Sequence, residues 1–323
     1  MNKRFLSIPR LVKSSSQFMI SPGQYPTSST TSIILVTGAS SEMGSALIRQ
    51  LTNFSSLKIR AMVHRSLVNV PGCEIRPGNL KNLDLLARAV FGVDTVVHMA
   101  ALTKSSRDSD YFDTNVNGTK NLIDTCVKQG VKKIIYISSL AASISGGAYA
   151  SSKLEAEQCV KNSGLKWLIL RPSEVYGQRR DTINQLIQWV QSYSCVPVIG
   201  AGKSRLSPVH IDDVVSAIAK SIFIKEIERK TIILAGPEEL IYDDLVDRIA
   251  AYFNVKRFKL RLPAGLVKLA ATVMSSLGVN ILVPDQIPRL LSEKTYDIDV
   301  AREVLNYSPC CLEDGMKKVF YQK

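Results

Sequence analysis

The sequence predicts an α/β protein built on a doubly wound parallel sheet, with a smaller portion at its C-terminal end. Two observations predict this class: strand-like runs alternate with helical periodicity from Ser32 onwards, and the first run ends in a glycine turn. The runs are mostly apolar, which is typical of parallel strands buried on both faces. The 323 residues are 46% hydrophobic and can bury a large core.

The predicted elements follow one another in a regular order. Strands are predicted at residues 33–36, 57–63, 73–75, 94–98, 133–139 and 165–170. Helices are predicted at about 45–53, 111–128, 149–161, 181–193, 211–224, 240–253, 298–305 and 312–319. A late strand at 231–236 is expected to return to the sheet. We therefore assign residues 32–172, with 206–236, to the sheet domain, and residues 173–205 and 237–323 to the smaller portion.

Residues 1–31 form a basic, Ser/Thr-rich leader that we expect to be disordered, and no acidic residue precedes Glu42. This composition is similar to that of an organellar transit peptide, although Pro9 interrupts any amphipathic helix. No unbroken apolar core follows the basic residues, which argues against a secretory signal. We expect a cytoplasmic protein, with a mitochondrial location as the alternative if the leader is a transit peptide.

Charge and cysteine content exclude several classes of protein. A formal charge of +13 favours anionic partners, but no basic run is interleaved with aromatic residues, so no nucleic acid is expected. The six cysteines have no Cys-x-x-Cys spacing and, with three histidines, give no zinc pattern, so no metal is expected.

One stretch, residues 263–283, is long and apolar enough to span a bilayer in principle. Residues 275–280, around Gly278, break the run. Packing within the smaller portion is the favoured interpretation and membrane contact is the alternative, so no stable membrane insertion is expected.

The glycine turn predicts a phosphate site. It reads Thr37-Gly38-Ala39-Ser40-Ser41-Glu42-Met43-Gly44 and lies between a strand and a helix. Gly38 allows a tight turn, and Gly44 lets the helix pack close to the sheet, so that the N-terminal amides of the helix face a pyrophosphate. In this context the turn indicates a Rossmann-type dinucleotide site.

A second motif indicates acid/base chemistry. Tyr149 and Lys153 lie four residues apart in a predicted helix and therefore on one face. A phenol has a pKa near 10, so a tyrosine base at neutral pH needs its pKa lowered by roughly three units, or about 4 kcal/mol. The Lys153 ammonium, together with an oxidised nicotinamide ring, can supply this. The alternative is a chance Tyr-x-x-x-Lys spacing.

These and other motifs occur in a fixed order. They are Thr37-Gly38 with Gly44, His98-Met99-Ala100-Ala101, Asn115-Val116-Asn117-Gly118-Thr119, Ser138-Ser139, Tyr149 with Lys153, Leu170-Arg171-Pro172, Glu174-Val175-Tyr176-Gly177, Pro208-Val209-His210-Ile211-Asp212-Asp213 and Leu305-Asn306-Tyr307-Ser308-Pro309. In this order they resemble the extended short-chain dehydrogenases/reductases, the NAD-dependent epimerase/dehydratase group, over nearly everything after Ser32. The resemblance implies an NAD(P)-dependent oxidoreductase, epimerase or dehydratase that acts at a carbinol or carbonyl carbon, with a nucleotide sugar as the favoured small-molecule substrate.

The resemblance also implies roles for particular residues. Tyr149 would be the catalytic acid/base, and Lys153 would bind the nicotinamide ribose and lower the tyrosine pKa. Ser139 would bind the substrate oxygen, and Asn115 would support the helix that carries the proton relay. The implied substrate residues are Ser139, Tyr149 and Arg205. The implied cofactor residues are Gly38, Ser40, Ser41, Glu42, Met43, Gly44, Arg65, Asn79, Leu80, Ala100, Ala101, Lys153 and Pro172.

The end of the second predicted strand bears on cofactor choice. It reads Met62-Val63-His64-Arg65-Ser66 and holds no carboxylate for the adenosine ribose, so Arg65 favours NADP over NAD. Asn79 stands where the family usually has an aspartate that meets the adenine. An asparagine can still accept that hydrogen bond through its amide oxygen.

Three departures from the family pattern are visible. Ser41, or Glu42 in an alternative alignment, replaces the middle glycine of the turn. Ser139 and Tyr149 are only ten residues apart, which is fewer than is usual in this family. Because the loop between them is short, Ser138 or Ser143 is an alternative for the serine role.

The third departure concerns the substrate. Nucleotide-sugar members usually carry an arginine four residues before the histidine matched here by His210. This chain has Leu206 there and Arg205 one place earlier. If the segment is a strand, one step reverses the face to which the side chain points, and the alternative is a bulge that restores it.

Two other functions stay open. One is a non-catalytic NADP(H)-binding structural or accessory subunit, and the other is a reductase of a non-sugar carbonyl such as a steroid or a flavonoid-like compound. The pair Tyr149 and Lys153 favours an enzyme, because a purely structural relative has no reason to keep both. The resemblance alone implies a homodimer through the helices near Tyr111 and Tyr149.

Overall fold

The computed structural model describes residues 31–64, 70–178, 181–224, 228–276 and 296–320. The first half contains β1 (Ser32–Thr37), α1 (Glu42–Leu51), β2 (Leu57–Val63), β3 (Cys73–Pro77), α2 (Leu83–Val90), β4 (Thr95–His98), α3 (Asp108–Tyr111), a π-helical segment (Phe112–Asn117), α4 (Gly118–Lys128), β5 (Lys133–Ile137), α5 (Ala148–Lys161) and β6 (Lys166–Pro172). The second half contains β7 (Val175–Tyr176), α6 (Thr182–Ser192), β8 (Cys195–Ile199), β9 (Arg205–Leu206), β10 (Val209–His210), α7 (Ile211–Phe223), β11 (Lys230–Leu234), β12 (Leu240–Ile241), α8 (Tyr242–Tyr252), β13 (Phe258–Leu262), α9 (Ala264–Ser276), α10 (Asp299–Leu305) and α11 (Leu312–Phe320).

Seven parallel strands form the central sheet in the order β11-β6-β5-β4-β1-β2-β3. The late strand β11 returns to the sheet beside β6, where Lys230 pairs with Leu168. The predicted α/β class is thus confirmed. The strand order reverses between β1 and β4, and in open sheets of this kind a ligand binds in the crevice at that point, beyond the carboxyl ends of the strands.

Helices cover both faces of the sheet because each presents one apolar stripe to it. On one face, α1 and α7 bury Leu47 and Ile218 in the same core. On the other face, α2, α4 and α5 bury Leu86, Leu122 and Val160. All five side chains are fully buried. The two layers therefore hold the sheet in place and leave the strand ends to carry a site.

A second core lies in the smaller portion, where α6, α8 and α11 pack together. It contains the fully buried Ile187, Val196, Leu245, Ile249 and Met316. The strands of this portion form two-stranded ribbons, β7 with β10, β9 with β12 and β8 with β13. No helix within the described ranges has the length and apolar character needed to cross a bilayer.

Several elements differ from the prediction. The helix predicted at 111–128 is interrupted by the π-helical segment, and α2, β8 and β13 were not predicted. The apolar stretch 263–283 is described up to Ser276, within α9. Its expected packing is wrong for part of that helix, because Leu266 is 63% and Leu269 62% exposed while Ala271 is buried. The leader up to residue 30 and Arg65 lie outside the described residues.

Candidate active site

The glycine turn sits at the carboxyl end of β1, against the chain that leaves β4. Gly38 has φ +68°, and a Cβ there would lie 2.8 Å from the Ala100 nitrogen. A Cβ on Gly44 would lie 2.9 Å from the Ala39 Cα. Both positions therefore require glycine, one for backbone conformation and close approach and the other for close approach alone.

Ser41, which replaces a glycine of the family pattern, caps α1. Its hydroxyl accepts a hydrogen bond from the Gly44 amide at 3.0 Å and donates one to the Gly38 carbonyl at 2.8 Å. The cap satisfies one of the amides at the start of the helix. Ser40, Ser41 and Glu42 are exposed there. The turn thus still leads into a capped helix N-terminus despite the substitution.

A cleft of about 780 Å³ opens beside the turn, within the size range of small-molecule sites. Seven predicted cofactor residues line it: Gly38, Ser40, Ser41, Asn79, Leu80, Ala100 and Ala101. The cleft thus joins the glycine turn to the strand ends of β3 and β4. Its walls fit an extended ligand with a phosphate at the N-terminus of α1.

The cleft also contains groups that the sequence did not single out. They are Met62, His64, Gly78, Lys81, Met99, Leu102, Arg107, Asp110 and Thr114. Arg107 pairs with Asp110 at 3.0 Å. The Asn79 amide oxygen accepts the Lys81 amide at 2.9 Å, so one of its two lone-pair positions is occupied. The end of β2 contributes His64 and no carboxylate.

A buried hydrogen-bond chain runs from β1 to the π-helical segment. The Thr37 hydroxyl accepts from the Met99 and Ala100 amides at 3.1 and 3.2 Å, so its proton is free to donate to His98 Nδ1 at 2.7 Å. His98 Nε2 then donates to Thr119 Oγ1 at 2.9 Å. The Thr119 hydroxyl donates to the Asn115 carbonyl at 2.5 Å.

This chain of hydrogen bonds requires a neutral His98, because its Nδ1 must accept the hydrogen bond from Thr37. Burial, with the nearby positive charge of Lys153, lowers the pKa of His98 to about 3. The imidazole is therefore uncharged at neutral pH. It joins β1, β4 and α4 through its two hydrogen bonds.

Asn115 links the chain to α5. Its side chain pairs with both the amide and the carbonyl of Leu102, at 2.8 and 3.0 Å, and donates to Ser152 Oγ at 3.0 Å. Ser152 donates in turn to the Tyr149 carbonyl at 2.8 Å. Asn115 lies in the π-helical segment, and such distortions of a helix occur frequently at functional sites.

Tyr149 and Lys153 lie one turn apart on α5, both buried. The Tyr149 ring packs edge-on against Tyr111, with centroids 6.0 Å apart. The Lys153 ammonium donates to the Ile137 carbonyl at 2.9 Å and lies 4.2 Å from the centroid of the Tyr136 ring. The pair thus stands at the carboxyl end of β5.

The Lys153 side chain is almost completely buried, at 1% exposure. Burial lowers its pKa to about 7, and the Glu157 carboxylate partly opposes that effect. Glu157 is itself fully buried and held by Arg171 at 2.8 and 2.7 Å. The ammonium is therefore poised to lose its charge near neutral pH.

Three serines lie after β5. Ser139 Oγ accepts the Ala141 amide at 3.2 Å, which shapes the turn. The hydroxyls of Ser138 and Ser143 are buried and have no hydrogen-bond partner among the described residues. Both therefore carry free hydrogen-bonding capacity next to the Tyr149 helix, whereas that of Ser139 is partly used.

The structure separates Arg205 from the other predicted site residues. Its neighbour Leu206 points into the core of the smaller portion, so Arg205 points to solvent and pairs with Glu239. Pro172 lies at the end of β6, where its carbonyl accepts the Leu140 amide at 2.8 Å. No cluster of metal-ligating side chains occurs in the part of the chain that the structure describes.

Comparisons with known proteins agree with this geometry. The sequence model of the NAD dependent epimerase/dehydratase family matches residues 34–233. An uncharacterized protein y4nG of Sinorhizobium fredii is 25% identical, over 85% of this chain and 74% of its own length. The 3beta-hydroxysteroid-dehydrogenase/decarboxylase isoform 1 of Arabidopsis thaliana is 23% identical, over 74% of this chain and 64% of its own. UDP-glucose 4-epimerase of Vibrio cholerae is 23% identical, over 88% and 93%.

Solved structures show the same fold. UDP-glucuronic acid 4-epimerase from Bacillus cereus, in complex with UDP-glucuronic acid and NAD, superimposes with a TM-score of 0.72 at 22% identity. The match covers 90% of this chain and 98% of that one. The dTDP-glucose 4,6-dehydratase DesIV from Streptomyces venezuelae gives a TM-score of 0.72 at 20% identity, over 89% and 95%.

Proposed function

The chain belongs to the NAD-dependent epimerase/dehydratase family, and we propose that it oxidises or reduces a carbinol or carbonyl carbon of a nucleotide sugar. Membership makes it an enzyme with a nicotinamide cofactor. The observation that carries the finer proposal is the placement of Tyr149 and Lys153, buried side by side on α5 at the carboxyl end of β5.

In this proposal each residue has a separate task. Tyr149 moves the hydroxyl proton as general acid or base. Lys153, whose pKa of about 7 leaves it partly charged at neutral pH, favours the phenolate of Tyr149 when it carries its positive charge. Asn115 fixes the start of α5 through Ser152, and one of Ser138, Ser139 or Ser143 binds the substrate oxygen. The two hydroxyls without a partner, on Ser138 and Ser143, support their candidacy beside Ser139.

The residues of the cleft fit a dinucleotide. The α1 N-terminus, with Gly38, Ser40 and Ser41, would hold the pyrophosphate, and Asn79 and Leu80 would face the adenine side. When bound, the nicotinamide ring supplies hydride transfer. We propose NADP over NAD, because the end of β2 offers His64 and no carboxylate to the adenosine ribose.

The nucleotide-sugar substrate is supported by similar proteins whose names contain such sugars, UDP-glucose in Vibrio cholerae and UDP-glucuronic acid in Bacillus cereus. The chain of the Bacillus enzyme is covered almost completely, at 98%. Because the identities are only 23% and 22%, the similarity supports this substrate class and does not select a sugar.

A second candidate is a non-sugar carbonyl such as a steroid. It is supported by the position of Leu206, which is buried in the core where the family pattern places a diphosphate-binding arginine. Arg205 is already paired with Glu239. The similarity to the Arabidopsis 3beta-hydroxysteroid-dehydrogenase/decarboxylase also supports a non-sugar substrate.

We further propose a homodimer and a cytoplasmic location. A groove between α4 and α5 is lined by Ile123, Val127 and Cys159 together with charged side chains, and it offers a surface for a second copy of these helices. All six cysteines are free, which fits a reducing compartment.

The test compares Tyr149→Phe with Tyr193→Phe, a matched change at an exposed tyrosine that directly follows α6. Thermal shifts with NAD and NADP measure cofactor binding. Turnover is measured with UDP-sugars and with a 3β-hydroxysteroid, by product analysis. We expect Tyr149→Phe to bind the dinucleotide normally and to lose turnover by about 10²- to 10⁴-fold, while Tyr193→Phe behaves as wild type.

Other outcomes separate the alternatives. Equal turnover by Tyr149→Phe and wild type would disprove the acid/base role. Conversion of the steroid alone would select the second candidate. Dinucleotide binding with no conversion of any substrate would favour the structural subunit, and no binding of either dinucleotide would contradict the cofactor assignment.

A further inference from the structure

One surface of the smaller portion exposes the side chains that a soluble domain normally buries. It is the outer face of the β8–β13 ribbon, formed by Cys195, Pro197, Ile199, Phe258, Leu260 and Leu262, which face the same side because the paired residues are in register. Phe258 is 68% and Leu260 45% exposed. We call these six residues the apolar ribbon face.

The strand β13 is inverted relative to an ordinary amphipathic strand. Its charged residues lie on the side of α8, where Lys259 pairs with Asp247 and Arg261 with Asp243, both at 2.6 Å, although Arg261 is still 51% exposed. These pairs fix the orientation of the strand. The apolar residues between them are therefore held outward by specific contacts.

The apolar surface continues at both ends of the ribbon. At one end the Trp189 indole donates to the Cys195 carbonyl at 2.8 Å and lies 4.9 Å from the Tyr193 ring, and both aromatic side chains are exposed. At the other end α9 follows β13 and exposes Leu266 and Leu269. Tryptophan and tyrosine beside an apolar face are typical of a membrane interface.

The charge of this region is complementary to an anionic surface. Residues 248–276 contain six basic residues and no acidic one, and three of the six, Arg248, Lys259 and Arg261, pair with carboxylates outside this range. Among them, Lys256 precedes Phe258 by two residues and Lys268 lies between the two exposed leucines of α9. Both lysines are exposed, and neither has a carboxylate partner within the described residues.

We propose that the apolar ribbon face, with α9 and these two lysines, docks the protein reversibly onto a membrane surface that carries anionic lipids. Apolar side chains enter the interface and the ammonium groups meet lipid phosphates. The proposal involves no membrane-spanning segment and stands independently of the substrate.

The test is vesicle flotation of the full chain with phosphatidylcholine alone or with phosphatidylserine added, at about 0.15 M and about 1 M salt. We expect binding to the anionic vesicles that weakens at high salt. Phe258→Ser should lower the bound fraction about tenfold. Phe91→Ser, at a phenylalanine that is 71% exposed at the end of α2, is the matched control and should bind as wild type.

The charge is tested in the same way. Lys256→Gln should weaken binding about fivefold, since each lysine near such a surface contributes roughly 1 kcal/mol. Lys58→Gln, at an exposed lysine of β2, should leave binding unchanged.

Four results would overturn the proposal. The first is that the wild type does not bind the vesicles, and the second is that Phe258→Ser and Phe91→Ser lose vesicle binding equally. The third is that the protein does not bind lipid and Phe258→Ser disrupts a dimer, which would make a second copy the occupant of the face. The fourth is that the protein does not bind lipid and Phe258→Ser has a much lower melting temperature, which would make the chain itself the occupant.

Discussion

Replacing Lys153 by methionine should stabilise the protein at neutral pH while it abolishes turnover. The side chain is at 1% exposure, so its charge has lost nearly all contact with water. Burial lowers its pKa from 10.5 to about 7. A methionine of similar length fills the same space and carries no charge.

The magnitude follows from the pKa. Each pKa unit corresponds to about 1.4 kcal/mol, so the charged Lys153 destabilises the folded state by about 5 kcal/mol at pH 7 and below. Methionine loses the hydrogen bond to the Ile137 carbonyl, which costs about 1–3 kcal/mol. The net gain from Lys153→Met is therefore about 2–4 kcal/mol at pH 6.

The stability that Lys153→Met gains over wild type should decrease as the pH rises. Between pH 7 and 10.5 the unfolded lysine binds a proton that the folded lysine does not, so wild-type stability rises with pH in that window. The variant lacks this rise. Lys153→Met should therefore be the more stable protein at pH 6, and the less stable one near pH 10 because of its lost hydrogen bond.

The assay is urea unfolding at pH 6, 8 and 10. Lys161→Met is the matched control, since Lys161 lies two turns further along the same helix and is partly exposed beside Glu157. Lys161→Met should not change from more stable than wild type at pH 6 to less stable at pH 10. If Lys153→Met lowered stability equally at pH 6 and pH 10, Lys153 would not be a destabilised cation, and the argument from burial would fail.

Two further predictions concern the glycine turn and the histidine. Gly38→Ala should lower the free energy of unfolding by about 1–3 kcal/mol because of its φ of +68°, and by more because its Cβ would lie 2.8 Å from the Ala100 nitrogen. Gly92 has φ +71° but open space around it, so Gly92→Ala should lose only the conformational contribution. Urea unfolding measures both. Wild type should lose about 2 kcal/mol between pH 6.5 and 4.5, because the unfolded His98 binds a proton that the folded one, with a pKa of about 3, does not. His98→Gln should not show this loss, and an equal loss would contradict the assignment.

The sheet could be predicted because several of its strands, such as β1 and β5, are almost continuously apolar. The predicted strands at 57–63 and 94–98 agree with β2 and β4 within one residue. Shorter or inverted elements escaped prediction. The eight residues of α2 give little periodicity, Pro197 interrupts the apolar run of β8, and β13 alternates charged and apolar residues with the apolar ones outward.

The site was predictable only where a local motif encodes it. Gly38 and Gly44 are visible because their spacing follows a strand, and Tyr149 with Lys153 because their spacing fits a helix. The burial of Lys153 was not visible, since it depends on Tyr136 and Ile137, which precede it by many residues. Nor was the outward direction of Arg205 settled, because a bulge would have reversed it.

Contacts between distant residues also explain why the glycine turn and α5 form one unit. A line of hydrogen bonds passes from Thr37 through His98, Thr119 and Asn115 to Ser152, which holds the Tyr149 carbonyl. Every side chain in that line is at most 1% exposed. Loss of any member would leave a buried polar group without a partner, at a cost of about 1–3 kcal/mol. Because the same line touches the Ala100 amide beside Gly38, a change at the glycine turn is expected to reach the start of α5. Burial of this line therefore fixes the helix start that carries Tyr149 relative to the wall of the cleft beside the glycine turn.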